Sequence, residues 1–92
     1  MEFNDNEKIF FEMLHSKFNE NKLNKQISYY RMSNKTISVN YASYPLGKIK
    51  LQGRVYRMLI IKNLYDNYSF EGNLDECISK IDEWVKYAKR YL

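Results

Sequence analysis

The clearest candidates for a functional role are the basic residues in the middle of the chain, because a cluster of cations can bind anions. Residues 21 to 65 contain none of the 11 acidic residues of the chain. They contain nine of its 15 lysines and arginines, namely Lys22, Lys25, Arg31, Lys35, Lys48, Lys50, Arg54, Arg57 and Lys62. A surface of one sign attracts partners of the opposite sign. The sequence therefore predicts a binding site for an acidic or nucleic-acid partner.

Side chains suited to covalent, acid–base or metal chemistry are too sparse to predict a catalytic site. His15 is the only histidine and Cys77 the only cysteine, which excludes a Cys/His metal site and leaves a nucleophile triad one candidate base. The neighbouring acids Asp75 and Glu76 point in different directions on a helix. The three glycines are isolated, so there is no Gly-rich phosphate loop. We expect a non-enzymatic protein without metal or cofactor.

Length and composition predict one domain spanning residues 1–92. A chain of 92 residues with 45% hydrophobic residues can form a two-layer core. Its longest strongly apolar run, residues 58–61, is far below the roughly 20 residues that cross a bilayer. The first twenty residues lack the basic start and apolar stretch of a secretory signal. These features predict a cytoplasmic protein without a membrane span. Separately, we expect Cys77 to be a core residue, since free cysteine is usually buried.

Two segments have the apolar period of amphipathic helices. Residues 5–20 place Ile9, Phe10, Met13, Leu14 and Phe18 on one face, behind a capping box formed by Asn4 and Glu7. A second helix is predicted from residue 74 to the C-terminus, behind a capping box of Asn73 and Glu76. Its apolar stripe consists of Leu74, Cys77, Ile78, Ile81, Trp84, Val85 and Ala88.

From residue 27 the apolar period changes to two, which predicts a β-hairpin. A two-residue turn at Ser33-Asn34 or at Asn34-Lys35 gives the same assignment of faces. The inward side chains are expected to be Tyr30, Met32, Ile37, Val39 and Tyr41. The outward side chains are expected to be Tyr29, Arg31, Thr36, Ser38 and Asn40.

A second hairpin is predicted from strands at residues 46–52 and 55–62, after a break at Tyr44-Pro45. A two-residue turn at Gly53, the commonest length, places Ile49, Leu51, Tyr56, Met58 and Ile60 on one face. The opposite face then carries Lys48, Lys50, Arg57, Leu59 and Ile61, with Lys48 or Lys50 opposite Arg57. A three-residue loop would instead align Ile49 and Leu51 with Val55, Leu59 and Ile61. Residues 64–70 could add a fifth strand with Tyr68 and Phe70 inward.

The predicted fold is an α+β two-layer sandwich, with N- and C-terminal helices packed on one face of an antiparallel meander of four to five strands. We call the uncovered side of the sheet the open face. It is expected to present a basic, tyrosine-bearing surface to a partner, because cations neutralise phosphates and flat rings stack on bases. The candidate contact residues are Tyr29, Arg31, Lys48, Lys50, Arg54 and Arg57.

Two resemblances bear on function. The helix–strands–helix order resembles the double-stranded-RNA-binding domain, but the last helix here starts Asn73-Leu74-Asp75-Glu76, which would repel phosphate. In size, composition and architecture, with no specific motif, the chain is similar to small phage and mobile-element anti-defence proteins of the anti-CRISPR type. That resemblance implies an inhibitor that binds an acidic or nucleic-acid-bound complex in the host cytoplasm. Direct binding of DNA or RNA is the alternative, and an exposed strand edge or the last helix could pair with a second copy.

Overall fold

Five antiparallel strands form a meander sheet in the order β1-β2-β3-β4-β5, with helices at both ends of the chain. The computed structural model describes residues 2–63 and 65–92. Its elements are α1 (Asp5–Glu20), β1 (Ile27–Arg31), β2 (Ile37–Tyr41), β3 (Tyr44–Lys50), β4 (Tyr56–Ile61), β5 (Asn67–Gly72), α2 (Leu74–Ser79) and α3 (Ile81–Tyr91). The predicted α+β class and meander are confirmed. Within the described ranges, no helix is long and apolar enough to cross a membrane.

Helix α1 has the predicted bounds but is rotated relative to the predicted stripe. The Asn4 side chain accepts from the Glu7 backbone N–H at 2.7 Å, and the Glu7 carboxylate accepts from the Asn4 N–H at 2.8 Å, which completes the capping box. Ile9 and Met13, expected to be inward, are 45% and 39% exposed. Phe11 is buried instead, because its ring packs against the ring of Tyr29 on β1, with 4.4 Å between the ring centroids.

The C-terminal segment forms two helices where one was predicted. The Asn73–Glu76 capping box is present, and the predicted stripe is buried at Cys77, Ile81 and Trp84. At Lys80 the helix tightens, since its N–H is shared between the carbonyls of residues 76 and 77. The Glu83 N–H then bonds the Lys80 carbonyl, which separates α2 from α3.

The β1–β2 turn is longer than the predicted two residues. Arg31 pairs with Ile37 and the Met32 N–H donates to the Thr36 carbonyl at 2.7 Å, so the loop is residues 33–35. Lys35 has φ 70°, the left-handed residue that closes a three-residue hairpin loop. Because three is odd and two is even, every side chain of β1 changes face. The predicted outward placement of Tyr29 and Arg31 is therefore wrong.

Strand β3 starts earlier than predicted, at Tyr44. Ala42 and Ser43 both have positive φ, 53° and 70°, and form a two-residue turn between Tyr41 and Tyr44. Pro45 is accommodated because the β2–β3 register shifts between Val39 and Asn40. A proline within a sheet is tolerated at such a bulge.

The β3–β4 connection keeps the predicted faces with a different loop. Lys50 pairs with Arg57 and Ile49 with Met58, which is the register that a two-residue turn at Gly53-Arg54 predicts, but the pairing ends at Lys50 and Arg57 and leaves a longer loop. Ile49, Met58 and Ile60 are therefore buried, as the two-residue alternative predicted. In β5, Tyr68 pairs with Ile60 and Phe70 with Met58, which confirms their inward placement. The predicted start of this strand, Leu64, lies outside the described residues.

The core lies between the helices and the covered side of the sheet, with Trp84 at its centre. Trp84 is fully buried and its indole N–H donates to the Leu59 carbonyl at 3.0 Å. Gly47 allows this approach, since a Cβ there would lie 2.6 Å from Trp84 Cε2. Phe10 packs edge-on against the indole at 5.7 Å between centroids. This packing anchors α3 over β3 and β4 and leaves the other side of both strands uncovered.

Candidate anion-binding face of the sheet

Cross-strand register arranges the open face in rows. One row runs through all five strands as Tyr30, Ser38, Lys48, Leu59 and Ser69. The next row contains Lys50 on β3, Arg57 on β4 and Glu71 on β5. Neighbouring strands lie about 4.8 Å apart, so the three basic side chains arise within one small area of the sheet.

A shallow depression of about 260 Å³ occupies the centre of this area. Its lining residues are Asn34, Thr36, Lys48, Lys50, Arg57, Met58, Leu59 and Ser69. Six of these side chains can donate hydrogen bonds, and none of the described residues lining it is acidic. The depression therefore has the donors to bind an oxyanion.

Charge on the open face is partly compensated at one edge. Arg57 Nε lies 2.9 Å from Glu71 Oε1, with both side chains more than half exposed. Such an exposed pair contributes about 0–1 kcal/mol and remains accessible to solvent. Within residues 2–63 and 65–92, Lys48 and Lys50 take part in no ion pair. Lys50 faces Arg57 directly, which confirms the predicted juxtaposition of like charges.

Arg54 lies beside this area without lining the depression. It is an exposed residue of the β3–β4 loop. The hollow that it lines also contains Tyr56 and Glu71. Of the six predicted contact residues, Lys48, Lys50 and Arg57 thus come together and Arg54 adjoins them.

The Arg31 side chain lies instead on the helical side of the sheet, where it contacts α1. Its Nη1 and Nη2 donate to Glu7 Oε2 and Oε1, both at 3.0 Å, and Nη2 also donates to the Glu2 carbonyl at 2.7 Å. Glu7 is fully buried. Burial alone would raise the pKa of Glu7, but the hydrogen bonds from Arg31 and from the Asn4 backbone outweigh it and hold that pKa below its usual value. The pair joins β1 to the start of α1.

Tyr29 also lies under the helices. Its ring packs on Phe11 and edge-on against Phe3, and its hydroxyl shares a hydrogen bond with His15 Nε2. Burial raises the pKa of Tyr29 to about 12. It is therefore unavailable for stacking on the open face. Tyr30, which the sequence placed inward, is 67% exposed and is the tyrosine that the open face presents.

The structure adds residues that sequence reasoning did not assign to the site. A three-residue loop at residues 33–35 would have placed Tyr30 on the open face, because an odd loop length exchanges the two faces of β1. Asn34 and Ser69 join the depression through the turn and through β5. Among the described residues, no group of three or more His, Cys, Asp or Glu side chains could hold a metal ion.

Comparisons of the chain with protein-family models, curated proteins and solved structures gave no match.

Proposed function

We propose that this chain is a non-enzymatic binding protein whose open face binds an anionic macromolecular partner. The observation that carries the proposal is the acid-free depression that contains Lys48, Lys50 and Arg57. Like charges directly opposite each other on adjacent strands are destabilising. An anion bound between Lys50 and Arg57 would remove that repulsion.

The shape of the depression supports a macromolecule rather than a small ligand. Pockets that bury small molecules usually enclose about 300–1,000 Å³, whereas this depression has about 260 Å³. A small molecule would remain largely in solvent there. A protein or polymer surface could cover the depression and the rows around it at once.

The first candidate partner is the acidic or nucleic-acid-bound surface of a host protein complex. The similarity in size, composition and architecture to anti-defence proteins of phages supports this assignment. In such a role the protein would act by covering a working surface of the host complex. The open face has the charge for it, and charge complementarity would speed the encounter.

Direct binding of single-stranded DNA or RNA is the second candidate, and Tyr30 favours it. Tyr30 lies in the same row as Lys48, two strands away, which corresponds to about 10 Å. An exposed ring beside a line of cations can stack a base while the cations contact phosphates. Nucleic-acid binding would show a steep loss of affinity with salt.

The test is affinity capture from a bacterial host lysate, with and without nuclease. The variant Lys48→Glu/Lys50→Glu should lose the captured partner, whereas Lys8→Glu/Lys89→Glu, with the same charge change on the helical side, should keep it. Capture that survives nuclease identifies a protein, and capture that nuclease abolishes identifies nucleic acid. Equal capture by both variants would contradict the proposal. The melting temperature of the open-face variant should stay near wild type, because a carboxylate at position 50 would face Arg57.

A further inference from the structure

A second basic site lies where α3 packs beside the β4–β5 edge. It is a groove of about 400 Å³ on the helical side of the molecule. The lining residues are Ile61, Lys62, Tyr68, Glu83, Lys86, Tyr87 and Arg90. Three are cations and one is an acid, and none belongs to the depression of the open face.

One of the three cations directly follows β4 and the other two lie on α3. Lys62 Nζ lies 5.0 Å from the centroid of the Tyr68 ring, a cation–π distance. Lys86 and Arg90 are four residues apart on α3 and so share one helix face. The single acid, Glu83, is 3.8 Å from Lys86 Nζ, a long and exposed contact. With three cations against one acid among the lining residues, the groove keeps a net positive charge.

We propose that this groove binds a diphosphate group. An arginine can hold a phosphate through two parallel hydrogen bonds, and lysines contact phosphate as point charges. The hydroxyls of Tyr68 and Tyr87 are further donors among the lining residues. A terminal phosphate offers three strong acceptor oxygens, which matches this number of donors better than the two oxygens of a carboxylate. The volume lies within the range of small-molecule sites.

A diphosphate could come from inorganic pyrophosphate or from a nucleoside diphosphate, and calorimetric titrations separate the two sources. Pyrophosphate and ADP should both bind, with orthophosphate and AMP weaker. Equal affinity for pyrophosphate and ADP would assign recognition to the diphosphate alone, whereas tighter ADP binding would add a contact to the nucleoside. Absence of saturable binding of either compound at millimolar concentration would overturn the proposal.

Variants locate the site. Lys86→Glu/Arg90→Glu should weaken pyrophosphate binding by about tenfold or more, since it replaces two charge-assisted contacts to phosphate with repulsion. The matched control Lys8→Glu/Lys89→Glu makes the same charge change outside the groove. Equal weakening in both would show a general charge effect and refute the site. Lys62→Gln, which removes the positive charge that follows β4, should also weaken binding. An unchanged affinity would count against the proposal.

The proposal for the groove and the proposal for the open face can be tested independently. Lys48→Glu/Lys50→Glu leaves every residue of the groove in place, so it should bind pyrophosphate as wild type does. If that variant lost pyrophosphate while Lys86→Glu/Arg90→Glu kept it, the anion would belong to the open face and the groove proposal would be wrong.

Discussion

Replacing Arg31 with methionine should destabilise the protein strongly, although the residue lies on an edge strand and is a quarter exposed. The change removes both guanidinium bonds, each 3.0 Å long, from the Glu7 carboxylate. Glu7 is fully buried, and among the described residues only the Asn4 backbone and Gln52 would still donate to its carboxylate. Removing one partner of a buried ion pair costs about 3–5 kcal/mol.

In a domain of this size each kcal/mol corresponds to a shift of about 4–8 °C in melting temperature. Arg31→Met should therefore lower the midpoint by more than about 12 °C in a thermal scan followed by circular dichroism. Lys48→Met is the matched control, because it removes one exposed cation from the sheet and should change stability by within about 0.5 kcal/mol. An Arg31→Met midpoint equal to that of the control would refute the placement of Arg31 in the helical layer.

The double variant Arg31→Met/Glu7→Gln tests the reason for the loss. The amide side chain that Glu7→Gln introduces can still accept from the Asn4 N–H but carries no buried charge. Stability should partly return relative to Arg31→Met alone, which denaturant titration would show as a loss in the double variant smaller than the sum of the two single losses. A loss equal to the sum of the two single changes would mean that the charges do not interact.

The same pair predicts the acid sensitivity of the fold. The folded-state pKa of Glu7 lies below its unfolded value. Its contribution is therefore fully present above about pH 4.3, the ordinary pKa of glutamate, and is lost as the pH falls through the folded-state pKa. Glu7→Gln should flatten the dependence of unfolding free energy on pH in that acidic range. An unchanged slope would contradict the assignment.

Three further predictions concern the core and the caps. Gly47→Ala should destabilise by about 1–3 kcal/mol or more in denaturant titration, because its Cβ would lie 2.6 Å from Trp84 Cε2 and from the Leu59 carbonyl oxygen; a stability equal to that of the wild type would contradict it. Cys77 is fully buried and burial raises the pKa of its thiol, so Ellman's reagent should label it only as the protein unfolds; fast labelling of native protein would show an open site. Asn73→Ala should lower stability by about 1 kcal/mol through loss of the α2 cap, and a neutral result would mean that the cap is not formed.

The starts of α1 and α2 and most strand faces were predictable from local signals. Both capping boxes identified helix starts correctly, because they depend on residues three positions apart. The faces of β3 and β4 were also correct, because their register is one that a two-residue turn at Gly53 gives, although the strand pairing ends before that turn. These features need no knowledge of distant contacts.

Features that depend on tertiary packing were not predictable in this way. The β1–β2 loop has Lys35 in the left-handed conformation, and lysine gives no such signal, whereas glycine would. The resulting error exchanged Tyr29 for Tyr30 on the open face and placed Arg31 there. The rotation of α1 follows from packing of Phe11 against Tyr29, residues on different elements. The site was therefore predictable on β3 and β4 and wrong on β1.

The most direct test of the open face as a binding surface is NMR mapping of backbone amide shifts. Two anionic probes, a single-stranded oligonucleotide and poly-glutamate, would be titrated separately into the labelled protein. We expect the largest shifts at Ser38, Lys48, Lys50, Leu59 and Ser69, with Tyr30 responding if bases stack. Shifts confined to α1 and α3, with the open face unchanged by both probes, would contradict it.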